Sequence, residues 1–276
     1  MTTVVKIGGA RAVDPAGAIA DIATRVDDGE ELVVVHGGST AVDQLLADLG
    51  EEPTYVTNPS GVTGRFTDER TMEIVSMAMA GNVNVDLTVA LKNVGVDAIG
   101  LSGVDGGLLT GPRKSAVRVL EDGKKKIKRG DHAGRIEAVN EELLGLLVGE
   151  GYTPVVSIPM LADDGVAVNA DADRSAAAVA GALAADLLLL TDVAGVYADP
   201  DDPATRIDAV TSPRELAAVE DAAEGFMTRK VMAAVEALER GASTVTIADA
   251  NVEQPVTRAA DGDGTVFERG ALEETA

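Results

Sequence analysis

The feature that most constrains the fold is a strand that ends in two glycines and occurs twice near the start of the chain. The first copy is TVVKIGG at residues 3–9, and the second is LVVVHGGS at residues 32–39. β-Branched runs are typical of buried strands, and a following Gly pair leaves backbone N–H groups uncovered. Parallel strands that end at one sheet edge can bring such turns together around a phosphate. The pair predicts an anion-binding crevice, and two ordinary strand-to-helix turns are the alternative.

Strand-like and helix-like patterns alternate along the 276 residues. This alternation predicts an α/β fold: a three-layer αβα sandwich with a mainly parallel open sheet and two lobes. Because no linker separates independent domains, we predict one domain over 1–276, with an N-terminal lobe 1–185 and a C-terminal lobe 186–276. Predicted helices cover 14–26, 40–49, 68–80, 82–94, 141–150, 172–185 and 227–240; predicted strands begin at Thr3 and Leu32 and cover 97–101, 153–158, 187–190 and 244–247; a hairpin or loop covers 53–67, and a ribbon 113–136.

Composition limits the classes of function. The absence of cysteine excludes disulfides and thiolate metal sites. A net charge of −23 makes a soluble, self-repelling surface that is poorly suited to nucleic acid. The strongly acidic balance is typical of salt-adapted proteins, so we predict a halophilic, cytoplasmic protein. The most apolar helical stretch in this interpretation, 176–185, is too short to span a bilayer, so we expect no membrane association.

Lysine is scarce, with 8 lysines against 15 arginines, so the position of each lysine is informative. Five lysines lie in segment 113–129, which holds eight basic residues and two acidic ones, Glu121 and Asp122, for a net charge of +6. The other residues hold 15 basic against 44 acidic residues, or −29. No aromatic residue occurs in this segment, so stacking on bases is unsupported. The segment either offsets repulsion within the molecule or docks an acidic partner.

A set of motifs in a fixed order resembles the amino acid kinase family, whose members phosphorylate carboxylates, carbamate or nucleotides. They are KIGG at 6–9, HGG at 36–38, RFTD at 65–68, NADAD at 169–173, TDVAGV at 191–196, and Lys230 near the start of a late helix. Further motifs resemble the subgroup that acts on glutamate or 2-aminoadipate held by a small acidic amino-group carrier protein, LysW: YVT at 55–57, PSGV at 59–62, LSG at 101–103, RK at 113–114, RGD at 129–131 and RIE at 135–137. Two residues depart from the expected patterns: Ser39 replaces a third glycine of N-acetylglutamate kinases, and Gly64 stands where serine is expected.

The resemblance implies phosphoryl transfer from ATP to a side-chain carboxylate. A carboxylate is already ionised near neutral pH, so the site must supply alignment and charge neutralisation rather than a base. By resemblance, Lys6 and Gly8 contact the transferred group, Lys230 supports the leaving side, and Asp173 lies between the two lysines. The alternatives are a strand-end lysine and a solvated helix lysine. Mg²⁺ is expected with ATP, held mainly by phosphate oxygens and water.

Further residues are assigned to the acceptor and the nucleotide by the same resemblance. Arg65 can hold a carboxylate by two hydrogen bonds, and Asn169 offers an amide donor and acceptor. A surface arginine and a turn asparagine are the alternatives. For Asp171 we expect a helix-capping role, and for His36 a satisfied turn position without catalysis. The implied acceptor contacts are Gly37, Gly38, Arg65 and Asn169, and the implied nucleotide contacts are Gly9, Thr191, Asp192, Gly195 and Tyr197.

The implied partner is the acidic carrier protein, with 113–136 acting as a basic lid. A carrier amide would stop the amine from attacking its own acyl phosphate, and an acetyl group would serve equally. N-acetylglutamate kinase is therefore one alternative, and a nucleotide- or amino-acid-binding regulator without turnover is another, which Lys6, Asp173 and Lys230 together argue against. The family also implies a homodimer through the helix after Asp68. The predicted docking residues are Arg113, Lys114, Lys124, Lys125, Lys126, Lys128 and Arg129.

Overall fold

A computed structural model describes residues 2–9, 13–59, 61, 63–121 and 124–273. Ser60 and Val62 of the PSGV motif lie outside the described residues, as does the acidic Asp122 of the basic segment.

The helices and strands follow the predicted alternation. The strands are β1 Thr3–Ile7, β2 Leu32–His36, β3 Tyr55–Thr57, β4 Thr63–Arg65, β5 Ala98–Gly103, β6 Leu109–Gly111, β7 Arg113–Glu121, β8 Lys124–Gly134, β9 Ala138–Val139, β10 Thr153–Ala162, β11 Ala167–Val168, β12 Asp186–Thr191, β13 Ala209–Val210, β14 Thr244–Asp249 and β15 Thr265–Glu268. The α-helices are α1 Pro15–Asp27, α2 Ser39–Asp48, α3 Glu69–Ser76, α4 Asn84–Asn93, α5 Glu141–Gly149, α6 Ala172–Ala182, α7 Pro213–Ala222, α8 Phe226–Arg240 and α9 Pro255–Ala260.

One large sheet organises the molecule, in the order β13-β15-β14-β12-β1-β2-β10-β6-β9, with β5 and β11 also paired to β10. The pairs around the centre, β12 with β1, β1 with β2 and β2 with β10, are all parallel. Antiparallel pairing occurs at β14–β15, β10–β11 and β6–β9. The predicted α/β class with a mainly parallel sheet is confirmed. Two small ribbons, β3–β4 and β7–β8, form separate antiparallel sheets.

Alternate residues of the central strands pack into opposite cores, which explains why these strands are apolar throughout. Val4 and Leu189 join the core formed with α5, α6 and α8. Val5 and Leu188 join the core on the other face, with α1, α4 and α9. The sheet is therefore covered on both sides, and its carboxyl edge is left for the connecting turns.

The segment after Asp68 differs from the prediction. Helices predicted at 68–80 and 82–94 form one continuous helix, Glu69–Asn93, in which a π-helical segment, Met77–Val83, joins α3 to α4. Gly81, which separated the two predicted helices, lies within this wider segment and is accommodated by it. Within the described residues, this helix is long and apolar enough to cross a membrane by length and composition, at mean hydropathy 1.4. Of its buried residues, Leu91 joins the core with α1 and α9, while Ile74 lies in a third, smaller cluster with residues of α2.

Candidate active site

The two Gly-Gly turns lie side by side at the carboxyl edge of the sheet. β1 and β2 are in register, with Ile7 opposite His36, so Gly8 and Gly37 both emerge just beyond that pair. The turns touch so closely that a Cβ on Gly9 would overlap the backbone of Gly38. A larger residue at position 9 would therefore push the turns apart. The structure thus brings together the two turns that the repeated strand-Gly-Gly pattern places at one sheet edge, and the anion-binding crevice between them stays a prediction.

Two helix N-termini adjoin the crevice. Helix α2 starts directly after Gly38, and no side chain caps its first N–H groups. The start of α6 is close to the other turn, since a Cβ on Gly37 would lie 3.8 Å from the Cβ of Ala172. Uncapped N–H groups at a helix start carry partial positive charge and favour an anion. The uncapped start of α2 thus adds to the positive potential of this edge.

A buried cluster of three charges lies beside the turns. Lys6 Nζ is 2.7 Å from Asp173 Oδ1, and Lys230 Nζ is 3.2 Å from Asp173 Oδ2. Lys6 comes from β1, Asp173 from the first turn of α6, and Lys230 from the first half of α8. Three elements far apart in sequence therefore place two ammonium groups on one carboxylate. This is the arrangement that the family resemblance predicted for these residues.

The electrostatics of the cluster keep Asp173 ionised. Burial alone would raise the pKa of this carboxyl, but the ammonium groups of Lys6 and Lys230 outweigh burial and lower the pKa to about 2. An aspartate with such a low pKa is a weak base near neutral pH. It instead holds two cations at fixed positions, and the cluster retains one net positive charge next to the crevice.

Asp171 and His36 are bound as expected for structural positions. Asp171 Oδ1 accepts from the backbone N–H groups of Asp173 and Arg174, so it caps α6. His36 is buried beside the turn, and its Nδ1 lies 3.1 Å from Gly37 O. Its Nε2 lies 3.1 Å from Asn84 Nδ2, a donor, so Nε2 accepts and the ring is neutral. Burial is the main reason that the pKa of His36 falls to about 4.

The predicted acceptor residues lie on the β2 side of the crevice, each already bonded within the protein. Arg65 Nη1 is 2.7 Å from Asp43 Oδ1, and Nη2 donates to Tyr55 Oη at 3.1 Å and to Ser39 O. Asn169 Nδ2 donates to Thr67 Oγ1 at 3.1 Å. Arg65 therefore already binds a carboxylate, that of Asp43.

The predicted nucleotide residues follow β12, the neighbour of β1 on its other side. Leu190 pairs with Ile7, so Thr191 comes level with Gly8. Thr191 Oγ1 donates to Asp192 Oδ1 at 3.0 Å. Gly195 has φ 150° and packs against Thr265, whose Oγ1 accepts from Val196 N. The backbone of Tyr197 pairs with that of Arg206 in an isolated antiparallel β-bridge. Gly195 and Tyr197 thus hold the shape of the loop, while Thr191 and Asp192 lie at the sheet edge.

The basic ribbon is the predicted two-stranded β7–β8 structure, and its two ends differ. At its base, Asp131 Oδ1 accepts from Thr67 N at 3.2 Å, and Arg113 Nε lies 3.0 Å from Asp164 Oδ2. Lys128 Nζ lies 4.1 Å from the centre of the Phe66 ring, a cation–π contact. Two of the predicted docking residues, Arg113 and Lys128, are therefore engaged within the molecule. Lys124, Lys125 and Arg129 are exposed.

Sequence reasoning missed several residues that shape this site. Asn84, inside an apolar helix, binds His36 and donates to Val155 O at 2.8 Å. Asp43 binds Arg65, and Arg229 contacts Thr63 and Asp171. An amide in an otherwise apolar helix was the available signal for Asn84. For Asp43 and Arg229, which occur among many similar charges, no comparable signal was present.

Comparison with known proteins shows the family of the chain. The sequence matches the amino acid kinase family over residues 1–249. It is 43% identical to LysW-aminoadipate kinase of Deinococcus radiodurans, covering 95% of this chain and 90% of that protein. It is 39% identical to acetylglutamate kinase of Methanopyrus kandleri, covering 86% and 91%. Carbamate kinase of Giardia lamblia bound to AMP-PNP has the same fold, with a TM-score of 0.64 at 16% identity over 97% of this chain and 98% of that one. On these grounds the chain belongs to the amino acid kinase family.

Proposed function

We propose that this protein transfers the γ-phosphoryl group of ATP to the side-chain carboxylate of glutamate or 2-aminoadipate whose amino group is held by an acidic LysW-like carrier protein. The observation that carries this proposal is the Lys6–Asp173–Lys230 cluster beside the paired Gly turns. The name of the Deinococcus relative supports the acceptor and the carrier. The product would be an acyl phosphate of the kind used in lysine and arginine biosynthesis.

The chemistry requires positioning more than proton transfer. The acceptor carboxylate is ionised and attacks the γ-phosphorus directly, while the bond to the β-phosphate oxygen breaks. Lys6, with the Gly8 N–H, would neutralise the moving group, and Lys230 would stabilise the charge that develops on the leaving ADP. Asp173 fixes both lysines, so their geometry needs no rearrangement during the reaction. Both Asp173 oxygens are paired, so a Mg²⁺ ion would be held mainly by the nucleotide phosphates and water. Within the described chain, no cluster of three His, Asp or Glu side chains suits a metal ion.

The two sides of β1 suggest how the substrates are divided. We assign the acceptor to the 1–185 half, where Gly37, Gly38, Arg65 and Asn169 surround the β2 side of the crevice. We assign ATP to the 186–276 half, where Gly9, Thr191 and Asp192 lie on the β12 side, and Gly195 and Tyr197 shape the loop. Phosphoryl transfer would then occur above the end of β1, between the two lysines.

The outer end of the ribbon supports docking of the carrier. The cross-strand pairs Arg118–Ile127 and Leu120–Lys125 place these four side chains on one face. All are exposed, Ile127 at 65% and Leu120 at 44%. Apolar groups among cations suit an acidic protein that carries an apolar patch, since steering and contact burial then act together. Lys124 and Lys126 lie on the same outer part of the ribbon, whereas Arg129 and Lys114 lie nearer its base.

A homodimer is supported by the outward side of the long helix Glu69–Asn93. Met77, Val85 and Val89 are exposed at 46%, 53% and 51%, and Gly81, between Met77 and Val85, leaves open space for a close approach. An exposed apolar stripe of this kind marks a contact surface. We expect sedimentation to give a dimer, and Val85→Glu with Val89→Glu to give a folded monomer. A wild-type monomer at micromolar concentration would contradict the proposal.

A labelled-ATP assay tests the proposed reaction. The protein is incubated with [γ-³²P]ATP, Mg²⁺ and one of three acceptors: carrier-bound glutamate, carrier-bound aminoadipate or free N-acetylglutamate. We expect label on a carrier-bound acceptor, released by hydroxylamine as expected of an acyl phosphate. Label on free N-acetylglutamate alone would establish the alternative function favoured by the Methanopyrus relative. Folded protein that labels none of the three would support a regulator without turnover.

A further inference from the structure

Arg229, the residue before Lys230, contacts two elements besides its own helix. Its Nη2 donates to the backbone carbonyl of Thr63 in β4, and its Nη1 lies 3.6 Å from Asp171 Oδ2 at the start of α6. The side chains of Arg229 and Asp171 are 29% and 30% exposed, so these contacts lie at the edge of the site and not in the core. One guanidinium thus joins three segments that are distant in sequence.

Arg229 and its two contact residues each lie one or two positions in sequence from a residue of the proposed site. Arg229 adjoins Lys230, while Asp171 is two residues from Asp173, and Thr63 is two residues from Arg65. Lys230 and Asp173 belong to the phosphoryl-transfer cluster, whereas Arg65 belongs to the acceptor side. A planar guanidinium with several donors can hold both partners at once, which a single ammonium cannot do as well.

Gly64 gives the guanidinium its space. A Cβ at position 64 would lie 3.2 Å from Arg229 Nη2, closer than ordinary packing. The backbone of Gly64 is not among the left-handed glycines of the described chain, so conformational strain does not require glycine there. The serine expected at this position would press on Arg229. The departure noted in the sequence therefore coincides with the contact between β4 and α8.

We propose that Arg229 is a positioning residue, which fixes the β3–β4 hairpin and Arg65 relative to Lys230 and Asp173. This inference rests on the proposed function, because it assigns acceptor alignment to the hairpin. By holding the acceptor side against the transfer cluster, Arg229 brings the carboxylate into line with the γ-phosphate. Small errors of alignment are costly in phosphoryl transfer.

The kinetic test compares Arg229→Gln with the wild type on whichever acceptor the wild type phosphorylates. We expect the KM for the acceptor to rise about tenfold and kcat to fall several-fold, because a charged hydrogen bond to the hairpin is lost. The KM for ATP should stay within about twofold. Arg229→Lys should recover part of the loss, since it keeps one charge but not two simultaneous contacts. An unchanged acceptor KM with unchanged kcat would overturn the positioning role.

The matched control is Arg240→Gln, at the other end of the same helix. Arg240 Nη2 donates to the carbonyl of Ile136 at 2.6 Å and pairs with Glu236, so it is also an arginine that ties α8 to a distant carbonyl. We expect this variant to leave the KM values for both substrates unchanged. Equal effects of the two substitutions on the acceptor KM would show a general loss of helix anchoring and would contradict a specific role for Arg229.

A second readout does not depend on activity. Hydrogen exchange of peptides covering 54–66 should be faster in Arg229→Gln than in wild type and unaffected in Arg240→Gln. Gly64→Ala should also accelerate exchange in the wild-type background, by a smaller amount. It should cause no acceleration in Arg229→Gln, because the guanidinium that the added methyl group would crowd is absent there. If exchange in Arg229→Gln equals that of the wild type, Arg229 does not hold the β3–β4 hairpin and the proposal is overturned. Exchange could be faster in Arg229→Gln while the wild type phosphorylates none of the acceptors. That result would refute the proposed function and would still establish that Arg229 holds the β3–β4 hairpin.

Discussion

The lysines of this chain occur in two contrasting surroundings. At the sheet edge, Lys6 and Lys230 have side chains 6% and 14% exposed, and both are paired with Asp173. On the outer ribbon, Lys124 and Lys125 are exposed beside apolar residues. A buried charge is held in one position and is little affected by salt, whereas an exposed charge acts over longer distances and is screened. The same residue type therefore serves alignment in one region and attraction of a partner in the other.

The largest expected effect comes from breaking the buried cluster with Asp173→Asn. Two buried ammonium groups would lose their counter-charge, so we expect the free energy of unfolding to fall by about 3–5 kcal/mol and turnover by at least about 100-fold. Urea unfolding and the labelled-ATP assay measure the two effects.

The control is Lys92→Met, which removes the exposed Lys92–Asp97 pair at 3.8 Å. This change should alter the free energy of unfolding by less than about 1 kcal/mol. If Asp173→Asn and Lys92→Met lower the free energy of unfolding equally, the buried Asp173 cluster stabilises the protein no more than an exposed ion pair does.

The next effect concerns pH and His36. The pKa of His36 is lowered from 6.5 to about 4, mainly by burial, so the unfolded chain binds a proton in this range that the folded protein does not. Stability should therefore decrease as pH falls from 6.5 towards 4, with this residue contributing at most about 1.4 kcal/mol per pH unit. Urea unfolding at several pH values should show a shallower slope of unfolding free energy against pH for His36→Gln than for the wild type.

Asp173 also makes stability depend on pH, but in a lower pH range than His36. Its folded pKa is lowered from 3.8 to about 2, so its contribution to stability is complete above about pH 4 and is lost as pH falls towards 2. A wild-type stability that stays constant between pH 6.5 and 4 would contradict the buried, neutral state of His36.

The smallest expected effect is at the exposed ribbon. Arg118→Glu should raise the KM for a carrier-bound acceptor about tenfold at low salt and leave the KM for ATP unchanged, because a like charge would repel the carrier. The difference should shrink at high salt, where the exposed charge is screened. Arg214→Glu makes the same charge change at an exposed position of α7 and should have no such effect. Equal effects of the two substitutions would point to net charge and not to docking at the ribbon.

Much of the central architecture follows from the sequence. Buried β-branched strands such as β2, followed by Gly turns and amphipathic helices, define the parallel sheet and its functional edge. Short elements were not predicted, among them β9, β11 and β13, each two residues long, because two residues carry no periodic pattern. Helices α7 and α9 and strand β15 were also missed. The strand predicted at 153–158 continues to Ala162 as β10.

The site was predictable where residue type and motif coincide, and not where a contact depends on folding. Lys6, Asp173 and Lys230 belong to motifs, and their predicted proximity is present in the structure. The bonds of Arg65 to Asp43 and of Arg229 to Thr63 O join segments whose approach depends on the complete fold. Likewise, strand pairing alone determines that Leu120 and Ile127 share a face of the ribbon with Lys125 and Arg118.

The most direct test of the central claim is single-turnover phosphoryl transfer with Lys6→Met and Lys230→Met, measured at saturating ATP and acceptor. If both ammonium groups act on the migrating phosphoryl group, each variant should remain folded, bind the acceptor, and transfer label at least about 100-fold more slowly than wild type. Transfer at a rate within a few-fold of wild type in either variant would contradict the account.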